Sequence, residues 1–385
     1  MLQAGFAVAD ITPPLGAELT GFAGRRSGAI GVHDPLQARA LVLRDEAKGG
    51  AAAIVCCDVL GFDFEGVASI RQRIAQRTPI APEAVMVCCS HTHSGPASMH
   101  LRGMGEPDPA YLDVLLRKCA DVAEMAAESL RPAQIGWGRG QVQIGINRRE
   151  RKESRTVLGQ NPAGPVAAFV DVLRVDCADA RVVLSVHAAH AVVLGGNNLY
   201  ISADYPGYVR QTVERAGQGQ TRAMFAQGCC GNINSQVVGG SFGDARRLGT
   251  ILGAEVVKVL EQVQTGSEVT LAWQGERLEL PVVVPTAEQA RALKAEYERV
   301  IAQGRASGAD ARRLAMLQTQ LDWADEVVRM AEGRAAVQPS PFEVQVLRVG
   351  DGALVGLSGE VFVEYALEIE KGSPAAQTAV AAYTN

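Results

Sequence analysis

Several features are absent from the 385-residue sequence, and each absence excludes a class of protein. No apolar run approaches the roughly 20 residues that a membrane-spanning helix requires, so we expect no integral membrane segment. Lys and Arg are scattered and the net charge is -5, which leaves no basic stripe for a phosphate backbone and excludes nucleic acid as an expected partner. Met1–Asp10 has neither the basic nor the apolar region of a signal peptide, so we expect a cytoplasmic protein.

The cysteines lack the CxxC spacing of a zinc knuckle or a redox motif. Six of them form adjacent pairs instead, namely Cys56 with Cys57, Cys88 with Cys89, and Cys229 with Cys230. Neighbouring residues of a strand face opposite sides, so such pairs are typical of strands buried on both faces. We interpret them as reduced packing residues rather than disulfides.

What the sequence does contain is typical of a globular protein, with 47% apolar and 21% charged residues. Short β-rich apolar runs alternate with amphipathic helical patterns, which predicts a mixed α/β fold of layered β-sheets covered by helices. We treat residues 1–385 as a single domain. The predicted strands cover residues 38–43, 51–57, 85–89, 168–175, 182–186, 223–226, 269–283, 344–349 and 353–357.

Amphipathic helices are predicted over Tyr111–Leu130 and Asp244–Val263, where apolar residues recur at helical spacing. Residues 286–332 differ in composition, because they are rich in Ala, Glu, Arg and Gln. They begin with Thr286 and Gln289 at the spacing of a capping box. We predict that they form an inserted helical hairpin, turned at Gly304–Gly308, that serves packing or homo-oligomerisation.

Histidine is scarce, yet two histidines lie two residues apart where a predicted strand ends. The strand at 85–89 runs into the segment SHTHSGP, residues 90–96, in which Gly and Pro end regular structure. Residues two apart in an extended backbone point to the same side, so His91 and His93 can face one cavity at the sheet edge. Neutral imidazole is the commonest metal ligand, but an HxH motif alone fits a polar, hydrogen-bonded loop equally well.

Two further segments supply candidate ligands at strand ends. The strand at 182–186 ends in His187 and His190, of which we prefer His190 as a metal ligand and His187 as a core residue or one behind the ligands. Glu360 lies between the strand at 353–357 and a predicted helix at 361–369, where open α/β sheets place many sites. An acidic residue in a first helical turn is more often a surface residue, so the case for Glu360 depends on the histidines.

Taken in order, these motifs resemble the catalytic, N-terminal domain of neutral (alkaline, non-lysosomal) ceramidases. The resemblance covers essentially the whole chain apart from the helical hairpin, and the HTHSGP element is highly specific in this order. It rests on ADITPP at residues 9–14, GVHDPL at 31–36, HTHSGP at 91–96, INR at 146–148, ISADYPG at 201–207 and LSGE at 357–360.

The resemblance implies one zinc ion held by His91, His190 and Glu360. His190 rather than His187 has the family spacing, since it lies eleven residues before the ISxD element. The resemblance also implies that His93 and Arg148 bind or polarise the substrate.

Two positions depart from the family pattern. The fourth zinc ligand of the family is a tyrosine that would fall just beyond Asn385, since Tyr383 aligns with an earlier position; a longer chain, a partner or water could fill that place. Asn234 stands where the family has a functional serine, and Asn cannot act as a nucleophile, so a serine-acyl mechanism is not expected. The family's immunoglobulin-like domain and secretion signal are also missing, which favours a smaller or non-ceramide substrate.

We therefore expect a zinc-dependent hydrolase that cleaves an amide-type C–N bond of a small molecule with metal-activated water. His93, Arg148 and Asn234 would act on the substrate and stabilise the developing oxyanion, with Ser235 also contacting the substrate.

Asp204 is a candidate acceptor for a ligand imidazole or, equally, a helix N-cap, and His33 is a candidate residue at the mouth of the site or in a solvated loop.

Two alternatives to the zinc-dependent hydrolase stay open. One is a metal-free hydrolase that uses Ser235 or Cys230 with His187, although no GxSxG nucleophile elbow occurs. The other is a zinc-bearing scaffold without activity, which predicts a closed metal site.

Overall fold

The structure is a computed structural model that describes residues 1–25, 27–47, 49–153 and 155–385. Among these residues, no helix is both long and apolar enough to cross a membrane. In chain order the strands are β1 (Leu2–Asp10), β2 (Gly31–Val32), β3 (Gln37–Asp45), β4 (Gly50–Cys57), β5 (Val85–Cys89), β6 (Arg131–Gln141), β7 (Gly145–Asn147), β8 (Arg149–Lys152), β9 (Arg155–Leu158), β10 (Phe169–Cys177), β11 (Arg181–His187), β12 (Tyr200–Ile201), β13 (Thr221–Gln227), β14 (Ile233–Ser235), β15 (Leu271–Leu280), β16 (Ser340–Val349), β17 (Gly352–Leu357) and β18 (Gln377–Ala381). The helices are α1 (Phe64–Arg77), α2 (Pro109–Glu128), α3 (Asp204–Ala216), α4 (Phe242–Leu260), α5 (Ala287–Ala306), α6 (Ala311–Ala331) and α7 (Val363–Gly372).

Two sheets form the framework of the molecule. The larger has eight strands in the order β13-β11-β10-β6-β1-β3-β4-β5, with parallel pairing only between β4 and β5 and between β11 and β13. The smaller has four strands in the order β15-β16-β17-β18, of which β17 and β18 are parallel. Strands β4, β5 and β17 are buried along almost their whole length, which explains why they appear in the sequence as continuous apolar runs.

Helices cover the eight-stranded sheet and create two apolar cores. Helix α1 packs on α2, which lies against β1, β3 and β4, and this side shares its core with the four-stranded sheet. Helices α3 and α4 pack on each other over β6, β10 and β13 and enclose the second core, which includes Tyr205 and Phe225. The predicted mixed α/β fold with helices over sheets is confirmed.

Helix starts follow the local sequence. The Asp63 carboxylate accepts a hydrogen bond from the Gly66 amide at the start of α1, and Asp108 caps α2 immediately before Pro109. Helix α5 opens on a capping box formed by Thr286 and Gln289, as predicted.

The predicted elements are present with shifted ends. All nine predicted strands occur, although β15 ends at Leu280 rather than at residue 283. The hairpin predicted for residues 286–332 is present as α5 and α6, which we call the helical arm, and its turn lies after Ala306. That residues 1–385 form one domain and that the arm mediates homo-oligomerisation remain predictions.

The interpretation of the cysteines as packing residues is confirmed. All eight thiols are free, and all but Cys177 are buried. Cys57 and Cys119 lie with their Sγ atoms 3.4 Å apart between β4 and α2. Burial raises the pKa of Cys89 and of Cys230 well above the ordinary value, so these thiols stay protonated and unreactive at neutral pH.

Candidate metal centre

Three loops that follow strand ends meet beside the two sheets and carry the candidate ligands. His91 follows β5, His190 follows β11 and Glu360 follows β17. Bridges between the sheets hold these loops together, since Thr384 pairs with Cys88 and Gly228 pairs with Ala381. The arrangement of the site therefore depends on both sheets.

His91 has an unusual backbone conformation, with φ at 57°, in the left-handed region that residues other than Gly rarely adopt. Its amide donates to the Val59 carbonyl at 3.0 Å, and its Nδ1 atom lies 2.8 Å from the Leu60 carbonyl oxygen. The Tyr383 ring stacks on the imidazole with the ring centroids 3.8 Å apart. These contacts maintain a conformation that costs about 1–3 kcal/mol.

This turn corrects the reason given for the convergence of His91 and His93. The pair was expected to share a side because the backbone is extended, but β5 ends at Cys89 and the chain turns at His91. The two Nε2 atoms nevertheless lie 3.2 Å apart, with the ring planes at 84°. A left-handed turn, rather than strand alternation, brings the imidazoles together.

Main-chain carbonyls select one tautomer of the three histidines in the cluster, namely His91, His93 and His190. A carbonyl oxygen can only accept a hydrogen bond, so a ring nitrogen beside it must carry the proton. Each Nε2 atom therefore presents a lone pair. The Nδ1 partners are the carbonyls of Leu60 for His91 at 2.8 Å, Gly21 for His93 at 2.9 Å, and Cys230 for His190 at 2.6 Å.

These lone pairs converge on one point. The Nε2 atom of His91 lies 3.2 Å from that of His93 and 3.2 Å from that of His190, and all three candidate ligand atoms lie within 4.8 Å of one another. Two nitrogens bound to one tetrahedral zinc at about 2.0–2.1 Å would be about 3.3–3.4 Å apart. Uncharged lone pairs at this separation repel each other unless a cation lies between them, so the residues fit a bound metal ion.

Glu360 adds a carboxylate to the three imidazoles. Its Oε1 atom lies 3.4 Å from His91 Nε2, and its Oε2 atom lies 3.5 Å from His190 Nε2. The carboxylate side chain is 51% exposed, whereas the imidazoles are buried. The cluster thus has a closed side formed by histidines and a side that faces solvent.

Burial keeps the histidines in the form that a metal requires. Desolvation lowers the pKa of His190 to about 4, and it lowers the pKa of His93 well below the ordinary range, with the neighbouring imidazoles adding to the effect. Both rings are therefore neutral at pH 7 and able to use their lone pairs.

Arg148 and Asn234 lie beside the carboxylate. Arg148 donates from Nε and Nη2 to the Gly231 carbonyl at 3.0 and 2.6 Å, and from Nη1 to the Asn234 side-chain oxygen at 3.2 Å. Its Nη2 atom also lies 3.4 Å from Glu360 Oε2. Asn234 is on β14, which pairs with β7, so a small two-stranded ribbon positions the guanidinium.

Two residues that the sequence analysis did not assign support Glu360. The Asn232 side chain accepts from the Val363 amide at 2.9 Å and donates to Glu364 at 2.8 Å, which ties the start of α7 to the loop before β14. Gly231 allows this close approach, because a Cβ atom there would lie 2.3 Å from the Glu360 carbonyl oxygen. The sequence signal that could have identified these two residues is their Gly-Asn pair, which is typical of a turn and directly precedes the short strand β14.

The three residues of the metal-free alternative are engaged elsewhere. The Ser235 hydroxyl is buried and donates to the Val237 carbonyl at 2.8 Å. The Cys230 thiol is buried beside the Tyr383 hydroxyl, 3.1 Å away. His187 has its Nδ1 atom 2.7 Å from the Phe169 carbonyl. With these partners, neither the Ser235 hydroxyl nor the Cys230 thiol has the geometry of a nucleophile activated by His187.

Asp204 occupies neither of the places proposed for it, whereas His33 lies in an exposed loop, which is one of its two proposed places. The Asp204 carboxylate accepts from the Leu194 amide at 2.9 Å and the Tyr205 amide at 2.6 Å, so it supports the loop after His190 rather than orienting an imidazole. Helix α3 begins at Asp204 itself and has no side-chain cap, which also excludes the N-cap reading. His33 is exposed and stacks on Phe242 at 3.6 Å.

A large apolar groove opens directly from the cluster. It has a volume of about 950 Å³ and begins at His91 and Glu360. Its surface is mostly apolar, with Phe62, Met99, Leu101, Leu280, Phe342 and Phe362 among the lining residues. A small molecule with an apolar part could therefore approach the cluster from this side.

Buried His187 makes the stability of the protein sensitive to acid. Desolvation lowers its pKa from 6.5 to about 4, so below pH 6.5 the unfolded chain gains a proton that the folded chain refuses. His187 therefore does not reduce the free energy of unfolding above pH 6.5. As the pH decreases from 6.5 toward 4, the free energy of unfolding falls by on the order of 3 kcal/mol because of this residue. Thermal melts of the metal-free protein are expected to show a shallower acid decline for His187→Gln than for the original chain, and equal slopes would contradict the assignment.

The chain is similar to known proteins in both sequence and fold. The sequence family described as neutral/alkaline non-lysosomal ceramidase, N-terminal, matches residues 2–248. A neutral ceramidase of Mycobacterium tuberculosis (strain ATCC 25618 / H37Rv) is 26% identical over 267 residues, which cover 62% of this chain and 41% of that protein. The chain therefore spans about two fifths of the length of this curated relative.

Two solved structures share the fold. The crystal structure of neutral ceramidase from Pseudomonas aeruginosa matches 100% of this chain and 67% of that chain, with a TM-score of 0.74 and 18% identity. A ceramidase complexed with C2 matches 100% of this chain and 68% of that chain, with a TM-score of 0.71 and 18% identity. At this level of identity, the likeness concerns the architecture.

Proposed function

The chain belongs to the neutral/alkaline non-lysosomal ceramidase family, and from this premise we propose that it is a zinc-dependent hydrolase of amide C–N bonds in small N-acyl molecules. One observation carries the proposal, namely the convergence of buried imidazole lone pairs beside Glu360 at the end of an apolar groove. A site that offers metal ligands and also an open approach is suited to catalysis rather than to structural metal binding.

We assign His91, His190 and Glu360 as the ligands of one zinc ion. Zinc bound there would act as a Lewis acid and would lower the pKa of its water to about 7. The main-chain carbonyls behind His91 and His190 orient both rings and increase their basicity. Three protein ligands leave one position for water or substrate, which argues against an inactive scaffold with a closed site.

His93 and Arg148 are proposed to act on the substrate. The His93 Nε2 atom faces the cluster, so it can hold a proton for the departing nitrogen when the C–N bond breaks. Arg148 is anchored on the Gly231 carbonyl and can bind the carbonyl oxygen as negative charge develops there. Asn234 orients Arg148 through their hydrogen bond, and its amide can add a contact to the substrate.

The groove supports an N-acyl substrate with an apolar part. Its volume of about 950 Å³ is in the upper range for small-molecule sites. The relatives are called ceramidases. Because Asn234 stands where the resemblance implies a functional serine, we propose a substrate smaller than or different from ceramide. A cytoplasmic location fits such a substrate and also remains a proposal.

Chelation separates the metal-dependent mechanism from the metal-free alternative. Dialysis against a chelator is expected to abolish hydrolysis of an N-acyl amide, and one equivalent of zinc should restore it. Ser235→Ala should keep the activity within about threefold, because its hydroxyl only donates to Val237. Full activity after complete removal of metal, or loss of activity in Ser235→Ala with metal retained, would refute the proposal.

A further inference from the structure

The helical arm is inserted between the two strands that form one wall of the apolar groove. Strands β15 and β16 form this wall, and Leu278, Leu280 and Phe342 line the groove from them. The arm begins after β15 and returns to β16, so it continues the wall outward. Arg277 lies over the ring of Phe64 at 4.5 Å, which attaches β15 to the start of α1.

Helix α6 of the arm contacts a second wall of the groove. Met99 and Leu101 line the groove from the loop that follows HTHSGP, and the next residues of that loop meet α6. Arg102 forms an ion pair with Glu326 of α6. Gly103 packs so closely on Thr319 that a Cβ atom at Gly103 would lie 2.4 Å from the threonine hydroxyl oxygen.

The loop is held at its start by the protein body and farther along both by α6 and by the segment before β2, where the Gly24 amide donates to the Gly103 carbonyl at 3.2 Å. Ser98 is buried and donates to the Gly61 carbonyl at 2.6 Å, which fixes the start of the loop beside the metal cluster. Arg102 and Gly103 themselves are exposed, and α6 contacts both of them. The contacts with α6 therefore contribute to the positions of Met99 and Leu101 in the groove.

We propose that the helical arm is a specificity element that spans the groove and fixes the Met99–Leu101 wall against the β15–β16 wall. The proposal rests on the proposed function in one respect, since it assumes that the groove takes the apolar part of the substrate. Long apolar chains reach the wall that the arm supports, whereas short chains stay near His91 and Glu360. The arm thus sets the preference for chain length without contacting the reacting atoms.

The contact that holds the wall is weak enough to be tested by charge reversal. Arg102 is 46% exposed and Glu326 is 33% exposed, so their pair can be broken without unfolding the arm. Arg102→Glu and Glu326→Arg each place like charges together, and the double variant restores an opposite pair. Lys294→Glu is the matched control, because Lys294 pairs with Asp325 inside the arm and touches neither wall.

The kinetic test compares acetyl, octanoyl and palmitoyl amides of one amine. Each single reversal should raise KM for the palmitoyl amide by about two- to fivefold, leave kcat nearly unchanged, and leave both constants unchanged for the acetyl amide. The double variant should recover the original KM, and Lys294→Glu should match the original chain throughout. An unchanged chain-length profile in both single variants, or a failure of the double variant to recover, would overturn the proposal.

A binding measurement keeps this test independent of turnover. Calorimetric titration with palmitate should show the same two- to fivefold weakening in each single variant and recovery in the double variant. If the original chain hydrolyses none of the amides but palmitate follows this pattern, the proposed hydrolase function fails and the role of the arm stands. If the amides are cleaved and palmitate binds equally to all variants, the role of the arm fails instead.

Discussion

His190→Ala is expected to lose bound metal and amide hydrolysis together. The ring is one of three buried imidazoles that converge on one point, and its Nδ1 atom lies 2.6 Å from the Cys230 carbonyl oxygen. Removing it leaves too few ligands to hold zinc at neutral pH, and water without the metal is a far weaker nucleophile. Turnover should fall by about a thousandfold or more, measured beside metal content per chain.

His91→Ala should behave in the same way, and His100→Ala supplies the control. His100 is exposed and pairs with Glu106 rather than with the cluster, so its variant should keep stoichiometric metal and normal hydrolysis of a short amide. Retention of one tightly bound metal ion in either cluster variant would show that the ligands lie elsewhere. Far-ultraviolet circular dichroism distinguishes these results from misfolding.

His93→Ala and Glu360→Ala are expected to separate two roles that the geometry places close together. His93 is one of the three converging imidazoles, yet a site in which His93, His91, His190 and Glu360 all bound zinc would have no open position. We expect Glu360 to be the ligand and His93 to serve the substrate. His93→Ala should then retain zinc while turnover falls by about 10²- to 10⁴-fold, whereas Glu360→Ala should lose both.

The reverse pattern is equally informative. Loss of zinc from His93→Ala with zinc retained by Glu360→Ala would make the site a three-histidine centre and would leave the carboxylate to handle protons. His93→Gln is a useful companion variant, because its amide can still donate to the Gly21 carbonyl and preserve the loop. Metal analysis of all three variants therefore identifies the third protein ligand.

The strands were predictable where both faces are buried. Strands β4, β5 and β17 are continuous apolar runs, and the two strand ends with histidines were visible in the sequence for the same reason. Strand β6 was missed because Gly136, Gly138 and Gly140 weaken its strand signal. Their role is visible only in three dimensions, where a Cβ atom at Gly138 would lie 2.7 Å from Val259 of α4, so the glycine lets α4 pack directly on the strand.

The site was predictable in its residue types but not in its geometry. Family motifs pointed to His91, His190 and Glu360, which the structure brings within hydrogen-bonding reach of one another. The sequence could not reveal the left-handed turn at His91, because tertiary contacts with Val59 and Leu60 impose it. It also could not show that Asp204 points toward the Leu194 amide, since that partner is set by the loop path after β11.

The left-handed backbone conformation at position 91 is unfavourable for histidine, so the proposed reaction, and not stability, explains why a histidine is found there. Glycine or asparagine would adopt a φ of 57° more readily. Selection for stability alone would therefore favour one of these residues at position 91. A descendant protein that is no longer selected for hydrolysis should therefore lose this histidine early in its divergence. In lineages that share the fold, the residue found at this turn would then serve as a genetic marker of whether hydrolysis is still under selection.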